Sequence, residues 1–375
     1  MSEDLSHPDV RAAVSRLCAD FDGPYWREKD AARAYPEEFV QALTDAGYLS
    51  VLIPEAYGGA GMDLGAACAV LEEIQRSGAN GGACHAQMYT MGTLLRHGSE
   101  DQKQKYLPDI ASGKLRLQAF GVTEPSSGTD TTRIKTRAVR DGDDYLVSGQ
   151  KVFISRVEHS DLMLLLVRTT PRDQVEKPTQ GMSVLLVDLR DAIDNGLTVR
   201  PLDTMLNHAT TELFFDQLRV PCANLIGEEG KGFGYILAAE CIGDARWFVE
   251  KASGYASDRE VFGQPIGKNQ GVQFPIARCY IQTEAAALMV NKASRMFDSG
   301  EACGSQANMA KLLAADASWA AADACLQIHG GYGFALEYDV ERKFRETRLY
   351  QVAPISTNLI LSNIATHVLG LPKSF

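Results

Sequence analysis

The sequence predicts an α+β fold in which a central, mostly antiparallel β-domain separates two helical domains. Apolar residues recur at helical spacing in the first part of the chain. Short β-rich runs separated by turn residues follow, and alanine-rich stretches at 268–298 and 305–329 then indicate long antiparallel helices. Because helices do not alternate with these strands, a doubly wound sheet is excluded. The predicted domains are residues 1–117, 118–223 and 224–375.

Capping signals place two helices in the first domain. Asp63 stands directly before a run with apolar residues at helical spacing, which makes it an N-cap candidate. Ser99 and Gln102 have the spacing of a capping box for a helix that continues through Ile110. The Ser112-Gly113 pair predicts the end of that helix.

The charge balance excludes some classes of partner. The 375 residues include 37 Lys and Arg against 48 Asp and Glu, which gives a formal net charge of −11. Since nucleic-acid affinity depends on the neutralisation of phosphates by cations, we expect no nucleic-acid partner. The sequence has no apolar run of about 18 residues, so we also expect no membrane span.

The cysteine pattern bears on metal binding and on the compartment. The eight cysteines and seven histidines are dispersed, and no two cysteines have C-x-x-C spacing. We therefore expect neither a disulfide framework nor a metal site. Scattered thiols are typical of a reducing compartment, and the acidic start at residues 1–4 does not resemble a signal peptide. These features predict a cytoplasmic protein.

Four segments carry residues suited to a flat or anionic ligand. Residues 120–130 offer hydroxyls and backbone amides after a strand, and residues 152–155 place an aromatic side chain two positions before a hydroxyl. Arg259 could bind a pyrophosphate, and the glycines of 327–334 allow close approach by a ligand. Each segment alone is also explained by an ordinary turn, cross-strand packing, a solvated arginine or a helix C-cap.

Taken together and in this order, these segments resemble the acyl-CoA dehydrogenase family of flavoproteins. The motifs are T-E-P-x-x-G-[ST]-D at 123–130, R-x-x-F-G-x-x-I at 259–266 and Q-x-x-G-G-x-G-F at 327–334. Residues 345–351 also match the closing motif of the family. The resemblance covers nearly the whole chain. It implies a C-terminal four-helix bundle, bound FAD and a homotetramer built as a dimer of dimers.

The resemblance also implies roles for individual residues. Phe153 would stack beside the isoalloxazine ring, and Ser155 would hydrogen-bond the N5 region. Arg259 and Gln270 would reach the FAD of a neighbouring subunit. The implied FAD contacts are Phe120, Val122, Thr123, Gly128, Thr129, Phe153, Ile154, Ser155, Arg259, Phe262, Gln270, Gln327, Gly330, Gly331, Ser356 and Asn358, and the implied substrate contacts are Thr129, Pro354 and Ile355.

The activity implied by the resemblance is α,β-dehydrogenation of an acyl-CoA in fatty-acid or branched-chain acyl metabolism. A carboxylate takes the α-proton while the β-hydrogen leaves as hydride, and an electron-transfer flavoprotein would accept the electrons. The base requires a raised pKa, and hydrogen-bond donors must stabilise the thioester oxygen. Met88, Tyr89 and Met91 are candidates for the acyl pocket, although helical Met and Tyr are more often plain core.

The chain departs from the family where a catalytic glutamate is expected. In the Y-Q-x-x-E-G-T position of one branch, the matching residue is Pro354, which has no side-chain base and no backbone N–H. The branch with a helix-borne Glu-Arg pair fits the chain better, but roughly ten residues, about 15 Å of helix, are absent between Leu237 and Ala238. Glu240 and Asp244 are weak candidates for the base.

Three explanations of the missing base are open. The chain as given could lack a segment, the deletion could be genuine with Glu240 or Asp244 moved into the pocket, or the protein could need no such base. The third would make it an inactive binder of FAD and acyl-CoA, or a monooxygenase or reductase on the same fold.

Overall fold

The fold is helical, then β, then helical again, in a computed structural model that describes residues 6–128, 130–206, 208–229, 241–353 and 355–373. The predicted fold class is confirmed. Helices of the first part are α1 (Pro8–Cys18), α2 (Gly23–Ala31), α3 (Glu37–Asp45), α4 (Leu64–Arg76), α5 (His85–His97) and α6 (Glu100–Ala111). Asp63 caps α4 by accepting the Ala66 N–H, and Ser99 and Gln102 form the predicted capping box of α6.

The described residues of the middle part form an eight-stranded sheet. Its strands are β1 (Leu117–Gly121), β2 (Arg137–Asp141), β3 (Asp144–Ser155), β4 (Leu162–Arg168), β5 (Met182–Asp188), β6 (Leu197–Pro201), β7 (Thr210–Pro221) and β8 (Leu225–Ile226), with the short helix α7 (Leu189–Ala192) after β5. The order is β6-β7-β3-β2-β4-β5-β8, with β1 paired to β4. Most pairings are antiparallel, whereas β4 pairs parallel with β1 and β2.

The described residues of the last part form helices and one short hairpin, joined by loops. Its helices are α8 (Cys241–Asp258), α9 (Gln270–Asp298), α10 (Gly304–His329), α11 (Val340–Val352) and α12 (Thr357–Asn363). The hairpin of β9 (Glu260–Val261) and β10 (Gln264–Pro265) lies between α8 and α9. The two alanine-rich stretches predicted to be long helices form α9 and α10. Among the described residues, no helix is long and apolar enough to cross a bilayer.

The chain divides into two compact units. The helical unit contains Met1–Ala32, Asp63–Gly81 and Ala238–Phe375, and the sheet unit contains Arg33–Met62 and Gly82–Leu237. This division distributes the first helices between the two units. The three domains bounded at 117 and 223 therefore stay a prediction.

The core of the sheet unit lies on both faces of the sheet. Strand β4 is buried throughout, with Met163 and Leu165 in one apolar cluster and Leu162 and Leu164 in the other. Leu107 of α6 belongs to the second cluster, so helices cover that face. Residues 162–167 of β4 are apolar on both faces of the sheet, as expected of a strand that is buried on both sides.

Small residues allow close helix packing in the helical unit. Ala286 on α9 and Ala314 on α10 belong to the same buried cluster. On α8, a Cβ placed at Gly243 would lie 2.2 Å from the Glu72 carbonyl oxygen of α4. Only glycine fits there, because any side chain would force the two helices apart.

Candidate functional site

A buried ion pair fixes the loop that follows β1. The Lys151 Nζ on β3 lies 2.9 Å from Glu124 Oε1 and donates a second hydrogen bond of 2.9 Å to the Val122 carbonyl. The Glu124 carboxylate also accepts the backbone N–H groups of Lys135 at 2.6 Å and Thr136 at 2.9 Å. Both side chains of the ion pair are buried. The loop is thereby tied to the strand that carries Phe153 and Ser155.

The pKa values of this pair follow from burial and from the partner charge. Burial lowers the pKa of Lys151 to about 8, although Glu124 opposes the shift. Burial alone would raise the pKa of Glu124, but the Lys151 ammonium and the hydrogen bonds from Thr136 and Lys135 outweigh it. The Glu124 pKa is therefore below its ordinary value, and the carboxylate is charged at neutral pH.

The loop after β1 packs against the apolar core at its start and has open space around Gly128. Phe120 and Val122 are half-buried against the apolar cluster that includes α6. The Thr123 carbonyl accepts the Val152 N–H at 2.9 Å, which joins the loop to β3 a second time. A Cβ at the exposed Gly128 would meet nothing within 4 Å. Thr129, expected to contact both flavin and substrate, lies outside the described residues.

The strand segment 152–155 is not a regular strand. The pairing of β3 with β7 is irregular between Lys151 and Ile154, and Phe153 has a φ of 58°. The simple alternation expected for Phe153 and Ser155 is interrupted, because a bulge changes the direction of the chain. Phe153 is 63% exposed although it is a large apolar residue, while Ile154 is buried and Ser155 is half-buried. Such strained, exposed aromatic residues are typical of ligand sites.

The helical unit brings two predicted segments to one cavity of about 570 Å³. Its lining includes Arg259 from the R-x-x-F-G segment and Gly330 and Gly331 from the glycine-rich segment. The Arg259 guanidinium carbon lies 5.7 Å from the centre of the Tyr332 ring, and His329 stacks on Tyr255 at 4.0 Å. The two glycines leave open space around the backbone.

The other predicted FAD contacts of this unit are exposed or half-buried. Phe262 is fully exposed with a φ of 53°, and Gln270 and Gln327 are exposed at a helix start and near a helix end. Ser356 caps α12 with its side chain, and Asn358 is exposed in the first turn. Ile355 is half-buried, whereas Pro354 lies outside the described residues.

The two candidate bases have different positions. Asp244 on α8 is fully buried, and its Oδ1 lies 2.5 Å from Lys343 Nζ on α11. Lys343 also donates to Gln75 Oε1 at 2.8 Å and lies 3.3 Å from Glu346. Asp244 is therefore part of a buried charged network between helices. Glu240 lies outside the described residues, as does the expected gap between Leu237 and Ala238.

The residues present fit FAD. An exposed aromatic side chain, a hydroxyl and a loop with open space suit one face of a flat heterocycle in the sheet unit. A guanidinium beside two glycines suits a pyrophosphate in the helical unit. The described residues contain no group of three or more His, Cys, Asp or Glu side chains that could hold a metal ion.

Two buried charged residues near the candidate site were not identified from the sequence. Lys151 was not singled out, although a charged residue within an apolar strand is a signal for a buried pair. Arg156 follows Ser155 and is also buried, with a φ of 61°. The positions of both depend on strand pairing over long sequence separations, which local spacing does not reveal.

Three family models match consecutive parts of the chain. They are described as the N-terminal, middle and C-terminal domains of acyl-CoA dehydrogenase and match residues 5–114, 119–218 and 235–369. Acyl-CoA dehydrogenase FadE12 of Mycobacterium tuberculosis is 33% identical over 98% of this chain and 96% of its own length. An acyl-CoA dehydrogenase of Bacillus subtilis is 35% identical over 90% of each chain.

A solved structure has the same fold. The glutaryl-coenzyme A dehydrogenase complex with glutaryl-CoA superposes with a TM-score of 0.90 at 30% identity, over 100% of this chain and 98% of that one. The alignment with FadE12 extends over 379 positions, more than the 375 residues of this chain. That alignment therefore contains gaps in this chain relative to FadE12.

Proposed function

The chain belongs to the acyl-CoA dehydrogenase family, and on that basis we propose that it catalyses FAD-dependent α,β-dehydrogenation of an acyl-CoA thioester. The observation that carries the proposal is the match of all three family domains, in order, along one chain. The enzyme is an oxidoreductase acting on a CH–CH group, with FAD as its cofactor. Neither an inactive binder nor a monooxygenase or reductase is needed to account for the matches.

Bound FAD supplies the hydride acceptor, and the chain supplies its position. In this proposal Phe153 offers its exposed ring to the flavin, and Ser155 donates a hydrogen bond near N5. The buried Lys151–Glu124 pair holds strand and loop together, so these contacts are preorganised. Arg259 with Gly330 and Gly331 binds the pyrophosphate of a neighbouring subunit's FAD, which is supported by their shared cavity.

The base must be a carboxylate that can reach the weakly acidic α-proton. Asp244 would have to leave Lys343, which would lose the nearer of its two carboxylate partners, and breaking a buried ion pair costs several kcal/mol. Between the two candidates we therefore favour Glu240. This assignment rests on the unsuitability of Asp244 and on the position of Glu240 just before α8.

The experiment for the base compares Glu240→Gln with Asp244→Asn in purified holoprotein. If Glu240 is the base, Glu240→Gln abolishes substrate-dependent flavin reduction but leaves FAD content and thermal stability unchanged. Asp244→Asn should lower stability, because Lys343 loses the nearer of its two carboxylate partners, while the remaining folded protein stays active. The opposite pattern would assign the base to Asp244.

A homotetramer is the proposed assembly. Phe274, Ile281 and Leu288 are exposed along α9 at intervals of seven residues, which puts them on one face of the helix. Large exposed apolar surfaces of this kind are typical of subunit contacts. Sedimentation equilibrium should give four times the mass of the chain. A monodisperse monomer that binds FAD fully would contradict the assembly.

Two further proposals concern the surroundings of the enzyme. We propose an electron-transfer flavoprotein as the electron acceptor, since this partner fits the family. We also propose a cytoplasmic location, which is supported by eight cysteines that are all free thiols.

Turnover tests the activity itself. Purified holoprotein with a saturated acyl-CoA and a dye as electron acceptor should form the corresponding enoyl-CoA, two hydrogens lighter by mass spectrometry. Absence of product with straight-chain, branched and ω-carboxylated acyl-CoAs would contradict the proposed function.

A further inference from the structure

A cavity of about 570 Å³ in the sheet unit is lined mainly by positive charge. Arg133 and Lys135 come from the segment before β2, and Arg172 comes from the loop between β4 and β5. Asp130 is the one carboxylate among the described lining residues, so three cations and one anion leave an excess of two positive charges. The whole chain has a net charge of −11. A local excess of the opposite sign attracts an anion.

The three cations of the lining are accessible to a ligand. Arg133, Lys135 and Arg172 are all exposed, and none of their charged groups forms an ion pair with a residue that the structure describes. The Asp130 carboxylate instead accepts a hydrogen bond of 2.5 Å from the Thr132 hydroxyl. The positive charge of the cavity is therefore open to solvent and is not neutralised by described neighbours.

A buried arginine joins the two segments that carry these cations. Arg168 at the end of β4 is 7% exposed, and it donates to the Thr132 carbonyl at 2.9 Å and to the Gln180 carbonyl at 3.1 Å. Burial lowers the pKa of Arg168 and the charge of Arg172 adds to the shift, whereas Glu124 opposes it. Because Arg168 binds both segments, the cavity is formed before a ligand arrives.

The cavity adjoins the loop proposed to meet the flavin and the substrate. Asp130 is the last residue of the T-E-P-x-x-G-[ST]-D motif at 123–130. Ser127 of that motif donates to the Asp130 carbonyl at 2.6 Å, and the Lys135 N–H donates to the Glu124 carboxylate at 2.6 Å. A substrate whose thioester end lies at this loop therefore has a cationic cavity beside it.

The anion that fits the lining best is a phosphate monoester. Such a group carries a charge of about −1.5 to −2 at pH 7 and offers three acceptor oxygens. Two guanidinium groups and an ammonium can share those oxygens. The CoA carrier of the proposed substrate has one phosphate monoester, the 3′-phosphate of its nucleotide, which lies at the end opposite the thioester.

We propose that Arg133, Lys135 and Arg172 bind the 3′-phosphate of the CoA carrier. The inference rests on the proposed function, because it names the part of the acyl-CoA that this cavity recognises. The three cations bind the nucleotide end and take no part in the transfer of hydrogen. The enzyme then distinguishes thioesters of CoA from thioesters of the shorter pantetheine arm by the charge at the far end of the carrier.

The test compares CoA with 3′-dephospho-CoA, which lacks only the phosphate monoester. Isothermal titration calorimetry on the full-length holoprotein gives both dissociation constants without an acyl chain, so the result does not depend on turnover. CoA should bind about tenfold more tightly, as expected of charge-assisted hydrogen bonds. The ratio should fall as the salt concentration rises, because the cations are exposed. Adenosine 3′,5′-bisphosphate should compete with CoA far better than inorganic phosphate does.

Variants locate the preference. Arg133→Gln and Arg172→Gln should each weaken CoA binding by about threefold to tenfold and leave the binding of 3′-dephospho-CoA unchanged. The double variant should bind the two compounds equally. Arg137→Gln changes an exposed arginine two positions after Lys135 that is not among the lining residues, and it should keep the full preference. FAD content should equal that of the parent in every variant.

The outcomes separate this inference from the activity. Equal affinity of the parent for CoA and 3′-dephospho-CoA, equal weakening of both by Arg172→Gln, or no binding of CoA would overturn the inference. Equal competition by inorganic phosphate and the bisphosphate would show a general anion site and would also overturn it. A preference for CoA in protein whose flavin no acyl-CoA reduces would support the inference and contradict dehydrogenation. Flavin reduction with the same KM for an acyl-CoA and its 3′-dephospho analogue would support only the activity.

Discussion

Lys151 Nζ lies 2.9 Å from Glu124 Oε1, and both side chains are buried within the sheet unit. The pair connects β3 to the T-E-P loop after β1, and four hydrogen bonds saturate it. The residues proposed to face the flavin are close in sequence to one or the other member of this pair. The T-E-P glutamate therefore acts as a structural anchor of the proposed cofactor site.

Removal of one partner should be more harmful than removal of both. Lys151→Met or Glu124→Gln leaves an unsatisfied buried group and should lower the free energy of unfolding by about 3–5 kcal/mol. The double variant should lose less than the sum of the two. Urea unfolding of the holoprotein measures both effects. As a control, Arg219→Gln breaks exposed pairs with Asp141 and Asp144 and should leave the free energy of unfolding almost unchanged.

The pair should also shape the dependence of stability on acid pH. The pKa of Glu124 is lower in the folded chain than its ordinary value of 4.5. The unfolded state therefore binds more protons in this range, and Glu124 stabilises the fold above about pH 4.5. That contribution is lost as the pH falls through the folded pKa. Urea unfolding of the parent and Glu124→Gln should show a steeper acid loss for the parent, and equal slopes would contradict this assignment.

Replacement of Phe153 by glycine should relieve backbone strain but weaken FAD binding. Phe153→Gly removes the cost of φ 58° in a bulky residue, so apoprotein stability should stay equal or rise by about 1 kcal/mol. FAD affinity should fall about tenfold, because the aromatic contact is lost. Equilibrium titration of apoprotein with FAD measures this loss. As a control, Val139→Ala truncates another exposed apolar residue of the sheet and should leave FAD affinity unchanged. If Phe153→Gly also binds FAD with the affinity of the parent, Phe153 is not part of the site.

Two glycines of α8 should respond to alanine with opposite signs. Gly243→Ala places a methyl group 2.2 Å from the Glu72 carbonyl of α4, so it should destabilise the protein by about 1–3 kcal/mol. Gly254→Ala meets nothing within 4 Å and should stabilise α8 by about 0.5–1 kcal/mol. Thermal denaturation of both variants decides whether α4 and α8 pack as closely as described. Destabilisation of equal size would show that helix propensity, not packing, controls both sites.

Local signals in the sequence predicted much of the fold. The caps at Asp63 and Ser99 and the long helices α9 and α10 depend on spacing within one element, and each is confirmed. The parallel pairing of β1 with β4 was not predicted, because nothing in either strand specifies which partner it meets. The bulge near Phe153 was not predicted for the same reason, since it depends on the register with β7.

The candidate site was only partly predictable. Motif resemblance selected Arg259 and the glycines at 330 and 331, and they line one cavity. Lys151 and Arg156 were missed, because their partners are Glu124 and Gly82, 27 and 74 residues away in the sequence. Asp244 is paired with Lys343, and the helical pattern of the sequence does not predict that pairing. Charged residues inside apolar segments were the only local clue.

The most direct test of the central claim is an anaerobic titration of the purified yellow protein with a saturated acyl-CoA. The account predicts that the absorption band of oxidised FAD disappears and that one enoyl-CoA forms for each flavin reduced. Protein that carries a full complement of FAD and binds acyl-CoA, yet keeps its oxidised spectrum with every thioester tried, would contradict it.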